Sequence, residues 1–80
     1  MTFFGYERGG EKLLKMEEVS LECTCEELEK LIEFLNKVKE EHTAVKNKTN
    51  ICHSHFKDWK RKWSKEDTDF IVITRFSGDV

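Results

Sequence analysis

Eighty residues carrying a net charge of −2, with charged side chains at 38% and hydrophobic ones at 38%, suit one small folded domain. A chain of this length buries only roughly 60–65% of the surface its unfolded form exposes, which excludes an elaborate core and leaves little room for an enclosed active site. Nine aromatic residues argue against disorder, no run approaches the roughly 18–20 apolar residues of a membrane span, and the first six residues lack the basic start and apolar run of a signal peptide, so a cytoplasmic protein is expected.

The first predicted element is a hairpin. Residues 3–8 and 12–16 are two short apolar segments flanking Gly9 and Gly10, and paired glycines tolerate the positive φ of a tight turn. Residues 17–23 then alternate, with Val19, Leu21 and Cys23 on one side and Glu18, Ser20 and Glu22 on the other, the period of a half-buried strand. Thr24 followed by Glu27 spells a capping box, with Cys23 and Leu28 placed as a hydrophobic staple. A helix is predicted over residues 25–42, because Leu28, Leu31, Ile32, Leu35 and Val38 recur at intervals of three and four and make one apolar stripe to bury. After a polar loop over residues 46–50 come a strand at 51–56 and, by composition the strongest of all, a strand at 69–76 that is apolar on both faces as a central strand would be. The expected fold is therefore α+β, a single domain over residues 1–80 in the order β-β-α-β-β, with one amphipathic helix packed on a small antiparallel sheet.

The motifs that could carry chemistry point away from catalysis. Three cysteines without an export signal suggest reduced thiols. Cys23 and Cys25 together with Cys52, His53 and His55 have the right ligand types for zinc, but a Cys-x-Cys pair straddling the start of a capped helix has the wrong spacing, so no metal and no cofactor is expected. On a strand Cys52 and its neighbouring histidines point to opposite faces, so they form no nucleophile–base dyad, and the chain is expected not to be an enzyme. His53 and His55 share one strand face, where imidazoles serve either as exposed cross-strand residues bonded to carboxylates or hydroxyls, or as a patch that meets a partner.

Charge is segregated along the chain. Residues 1–42 hold 6 basic and 11 acidic side chains, residues 43–65 hold 7 and 1, and residues 66–80 hold 1 and 4. The basic block includes Lys60, Arg61 and Lys62 between Trp59 and Trp63, a pattern that could give phosphate contacts and stacking platforms for nucleic acid. The two tryptophans are one helical turn apart, and a short helix packing both against the sheet is the competing use.

The strand-to-helix run from Val19 through Leu31 (VSLECTCEELEKL), the motif His53-Ser54-His55-Phe56 and the run from Ser64 to Ile73 (SKEDTDFIVI) resemble immunity protein 32, a group of small immunity proteins from bacterial polymorphic toxin systems. The likeness spans about residues 16–74, and the insert carrying Trp59 and Trp63 within it, like the N-terminal hairpin, goes beyond the pattern of the group. What the resemblance implies is a non-enzymatic protein that binds a cognate toxin domain and masks its active site. On that expectation His53 and His55 are candidate contacts, Trp59 and Trp63 candidate aromatic anchors, and Glu18 and Glu22 candidate acidic contacts towards a basic toxin. A homodimer through an uncovered strand edge is a further possibility, no membrane partner is expected, and nucleic-acid binding through residues 57–65 is the alternative function.

Overall fold

The computed structural model describes residues 1–59, 62 and 64–76. It contains β1 (Phe4–Gly5), β2 (Leu14–Lys15), α1 (Cys25–Ala44), β3 (Ile51–His55), α2 (Phe56–Trp59) and β4 (Ile71–Arg75). This is the expected α+β order with a single helical turn, α2, added between the last two strands. The strands form two separate antiparallel pairs rather than one sheet, β1 with β2 and β3 with β4.

The hairpin forms where the glycines predict it. Gly9 takes φ of +77°, the left-handed conformation that side chains disfavour, and the Gly10 N–H donates to the Glu7 carbonyl at 2.8 Å to close the turn. Phe4 then faces Lys15 and Gly5 faces Leu14, with a further bond from the Met16 N–H to the Phe3 carbonyl. The Arg8 guanidinium reaches from this hairpin to the carbonyls of Glu66 (3.0 Å) and Lys65 (3.3 Å), tying it to the loop before β4.

The strand expected over residues 17–23 is not formed: the segment is irregular, and Val19, Leu21 and Cys23 are all exposed. Alternation describes a strand with one face buried, but a strand also needs a neighbour for its backbone hydrogen bonds, and none lies beside this segment among the described residues. Like charges at Glu17, Glu18 and Glu22 further disfavour pairing.

Helix α1 starts where the capping box dictates. The Thr24 hydroxyl accepts from the Glu27 N–H at 3.1 Å, and the Glu27 carboxylate accepts from the Thr24 N–H at 2.9 Å. It continues two residues beyond the predicted end, to Ala44, and the Val45 N–H caps the His42 carbonyl. The staple does not close over this start, since Cys23 and Leu28 are both exposed.

The face that α1 buries differs from the one its leucines mark. Phe34 (2% exposed), Val38 (5%) and His42 (3%) form the buried row, spaced four apart, with Leu31 half-buried beside it. Of the predicted stripe, Val38 is buried and Leu31 half-buried, whereas Leu28, Ile32 and Leu35 remain exposed. At about 100° per residue the centre of this leucine row lies about a quarter turn from the centre of the buried row. The physical reason lies on the partner side: Phe34 packs on Phe56 (ring centroids 5.1 Å apart) and Trp59 (6.1 Å), and Phe56 stacks on Trp59, so the aromatic cluster of α2 selects the Phe34 face.

In the β3–β4 pair, Ile51 faces Arg75, His53 faces Ile73 and His55 faces Ile71 on one side, while Cys52 faces Thr74 and Ser54 faces Val72 on the other. The second side meets α1. Although β4 has the composition of a central strand, its one partner among the described residues is β3, and Ile71 and Ile73 stay exposed.

Candidate functional site

The helix is fastened to the sheet by a polar clasp. His42 is buried, its Nδ1 lies 2.8 Å from Thr74 Oγ1, and its Nε2 lies 2.9 Å from Ser54 Oγ. A neutral imidazole has one donor and one acceptor nitrogen, and hydroxyls can rotate to complement either, so both ring nitrogens are satisfied. No buried side-chain polar atom among the described residues lacks a partner.

Because Ser54 turns inward to this clasp, His53 and His55 turn to the opposite face, as strand alternation predicts. Their rings meet edge to face with centroids 5.5 Å apart. His55 Nδ1 lies 2.6 Å from the Asp69 carboxylate, whose second oxygen accepts from the Lys57 N–H at 3.0 Å. Burial pushes the Asp69 carboxyl up, but the hydrogen bond from His55, the Lys57 N–H, the charge of His55 and the Phe70 N–H outweigh it and hold the carboxyl below its ordinary value of 3.8. With Nδ1 bound to a carboxylate, Nε2 is the ring nitrogen that His55 offers to other groups.

An open groove of about 320 Å³ runs between α1 and β3. Phe34, Lys37, Val38 and Glu41, one stripe of α1, form one wall, His53, Ser54 and His55 the other, and Asp58 and Trp59 of α2 close one end. Three consecutive residues of β3 line it, so the strand presents an edge here, since neither face alone could show all three. That edge has no strand beside it among the described residues. Apolar Phe34, Val38 and Trp59 are thus set among a lysine, two carboxylates and two imidazoles.

The structure therefore gathers three of the predicted contact residues, His53, His55 and Trp59, into one site. Trp59 divides its surface between the aromatic cluster with Phe34 and Phe56 and the groove. Glu18 and Glu22 are exposed on the irregular segment rather than on a sheet strand, and neither lines the groove. Lys62 is exposed at a bend, while Trp63, Lys60 and Arg61 fall outside the described residues. Sequence reasoning missed Asp69, Asp58, Glu41 and the buried His42. An aspartate at the mouth of the last strand, and a histidine four residues beyond Val38 in the helical row, were the available signals.

A carboxylate-oriented imidazole is half of a general-base system, but the Ser54 hydroxyl is engaged by His42 and Cys52 lies on the opposite strand face from His53 and His55. Among the described residues no group of three or more His, Cys, Asp or Glu side chains is disposed to hold a metal ion. No helix among the described residues is long and apolar enough to cross a membrane. No protein-family model, no curated protein and no solved structure matches this chain.

Proposed function

We propose that this chain is a non-enzymatic protein-binding domain whose groove beside β3 captures a segment of a partner, and that the partner is a toxin domain whose active site it masks. The observation that carries the reading is the convergence of His53, His55 and Trp59 with Glu41 and Asp58 around a strand edge that has no neighbouring strand among the described residues. An extended segment can add its backbone to such an edge while its side chains enter the adjoining groove. Two carboxylates against one lysine favour a basic side chain from the partner, with the Trp59 ring as its apolar and cation-binding support. Acidic Glu26, Glu29 and Glu33, exposed on α1, extend the same charge preference beyond the groove. The toxin identity of the partner rests on the resemblance to immunity protein 32, and the cytoplasm, where a toxin-producing cell needs protection, is the matching location.

The test is to purify the chain with the toxin domain encoded beside its gene and to follow the mixture by size-exclusion chromatography and calorimetry. A stoichiometric complex is expected, weakened at least about tenfold by His53→Ala or by Asp58→Lys, each on an exposed position. Failure of the two purified proteins to associate, with the toxin left active, would refute the proposal.

A further inference from the structure

Strand β4 has the composition of a central strand and the position of an edge strand. Ile71, Val72 and Ile73 are apolar on both faces, and Ile71 (48% exposed) and Ile73 (58%) stay uncovered. β3 borders one side of β4, and no strand borders the other among the described residues. A two-stranded pair gains stability from further strands.

The hydrogen bonds of the pair fix what that outer edge presents. The Phe56 N–H donates to the Phe70 carbonyl at 2.8 Å and the Phe76 N–H to the Asn50 carbonyl at 2.9 Å, one at each end of the ladder that pairs Ile51 with Arg75 and His55 with Ile71. Hydrogen-bonded and non-bonded pairs alternate in an antiparallel ladder, so Phe70, Val72, Thr74 and Phe76 turn their backbone groups to β3. Ile71, Ile73 and Arg75 therefore point their N–H and C=O groups the other way, to the outer edge. Such a row is a template for another strand.

The side chains along β4 are complementary to themselves. When β4 meets β4 of a second copy about a two-fold axis at Val72, Ile71 stands opposite Ile73 and Asp69 opposite Arg75, each pair occurring twice. Val72 meets its own copy, Phe70 meets Thr74, and no like charges oppose each other. The bonded pairs of this register are the odd-numbered residues, the ones whose backbone groups point outward. An axis at Ile73 would set Arg75 against Ile71, and one at Ile71 would set Asp69 against Ile73. A carboxylate has about four acceptor sites. Asp69 fills three with His55 and the N–H groups of Lys57 and Phe70, which leaves room for the guanidinium.

We propose that the outer edge of β4 pairs antiparallel with β4 of a second copy about a two-fold axis at Val72, making a four-stranded sheet in the order β3-β4-β4-β3. β4 then takes the central place that its composition fits. The contact is isologous, so the assembly closes at two copies. The chain exposes 7364 Å², against about 5,000 Å² for a compact monomer of 80 residues, so it has surface to give to such a contact. The groove lies along the far edge of β3 and stays open in both copies.

Sedimentation velocity across a concentration series and disulfide trapping test this. Twice the monomer mass is expected at micromolar concentration. Ile73→Lys and Arg75→Glu, both at exposed positions, should each give the monomer mass with an unchanged far-ultraviolet circular dichroism spectrum. With Cys23, Cys25 and Cys52 replaced by alanine, Val72→Cys should yield a covalent dimer on oxidation, because opposed residues of a non-bonded pair lie about 4.5 Å apart at Cα, within disulfide reach. Ile73→Cys should not, since it faces Ile71 of the other copy. A protein that is monomeric throughout overturns the proposal, and so does a dimer indifferent to Ile73→Lys, which would place another face at the interface. Trapping by Ile73→Cys and not by Val72→Cys overturns it too, because that register parts Arg75 from Asp69.

Discussion

His42 joins α1 to both strands of the second sheet, and replacing it tests whether that clasp stabilises by its hydrogen bonds or merely by filling space. In His42→Leu the shape is roughly kept, but Ser54 Oγ and Thr74 Oγ1 lose partners at 2.9 and 2.8 Å in a part-buried setting. Each orphaned hydroxyl costs about 1–3 kcal/mol, so the substitution should destabilise by about 2–4 kcal/mol once the added apolar burial of leucine is set against it. That is a large share of the roughly 4–12 kcal/mol available to a domain of 80 residues. Removing the orphaned groups as well should recover most of the loss: the triple variant His42→Leu, Ser54→Ala, Thr74→Val is expected within about 1 kcal/mol of the parent, because apolar groups of matching shape replace the whole network. Urea unfolding followed by tryptophan fluorescence and circular dichroism, extrapolated to water with a common slope, measures all three. If the single variant is as stable as the parent, or the triple variant is no better than the single, the clasp does not act through its hydrogen bonds.

Other outcomes follow from the same geometry. Phe34→Ala empties the centre of the aromatic cluster and should cost about 3–5 kcal/mol, read by urea unfolding, whereas Leu35→Ala on the exposed row should cost far less to the isolated monomer. Thr24→Ala removes one bond of the capping box and should cost about 1 kcal/mol, with Thr24→Ser close to neutral in the same assay. Asp69 has a carboxyl held below its ordinary value, so its contribution to stability is fully present above the unfolded value of 3.8 and is lost as the pH falls through the lower folded value. Acid unfolding monitored by circular dichroism should accordingly be shallower in Asp69→Asn over that acidic range, and equal slopes in the two proteins would count against the assignment.

The capping box, the Gly9 turn and the strand alternation of His53, Ser54 and His55 were legible in the sequence because each is decided within a few residues. Thr24 can accept only from its own first turn, and glycine alone adopts a positive φ freely. The segment over residues 17–23 shows the limit of such reasoning: its alternation is local, but a strand exists only where another chain segment supplies hydrogen bonds. The candidate site divides the same way, since His53 and His55 were found by their shared face, whereas Asp69 becomes the partner of His55 through a contact between residues 14 apart.

What the sequence alone determined about this protein is its α+β class, the turn of its first hairpin and the start of its main helix, all of which follow from periodicity and short-range bonding. The tertiary structure decided which face of that helix is core. Leu28, Ile32 and Leu35 are the more regular apolar row, yet Phe34, Val38 and His42 are buried, because Phe56 and Trp59 offer aromatic surface and Ser54 and Thr74 offer hydroxyls on that side. Hydrophobic periodicity measures how much apolar surface a helix has to bury, and only the partners present in space determine which part of it is covered within the chain and which part is left exposed.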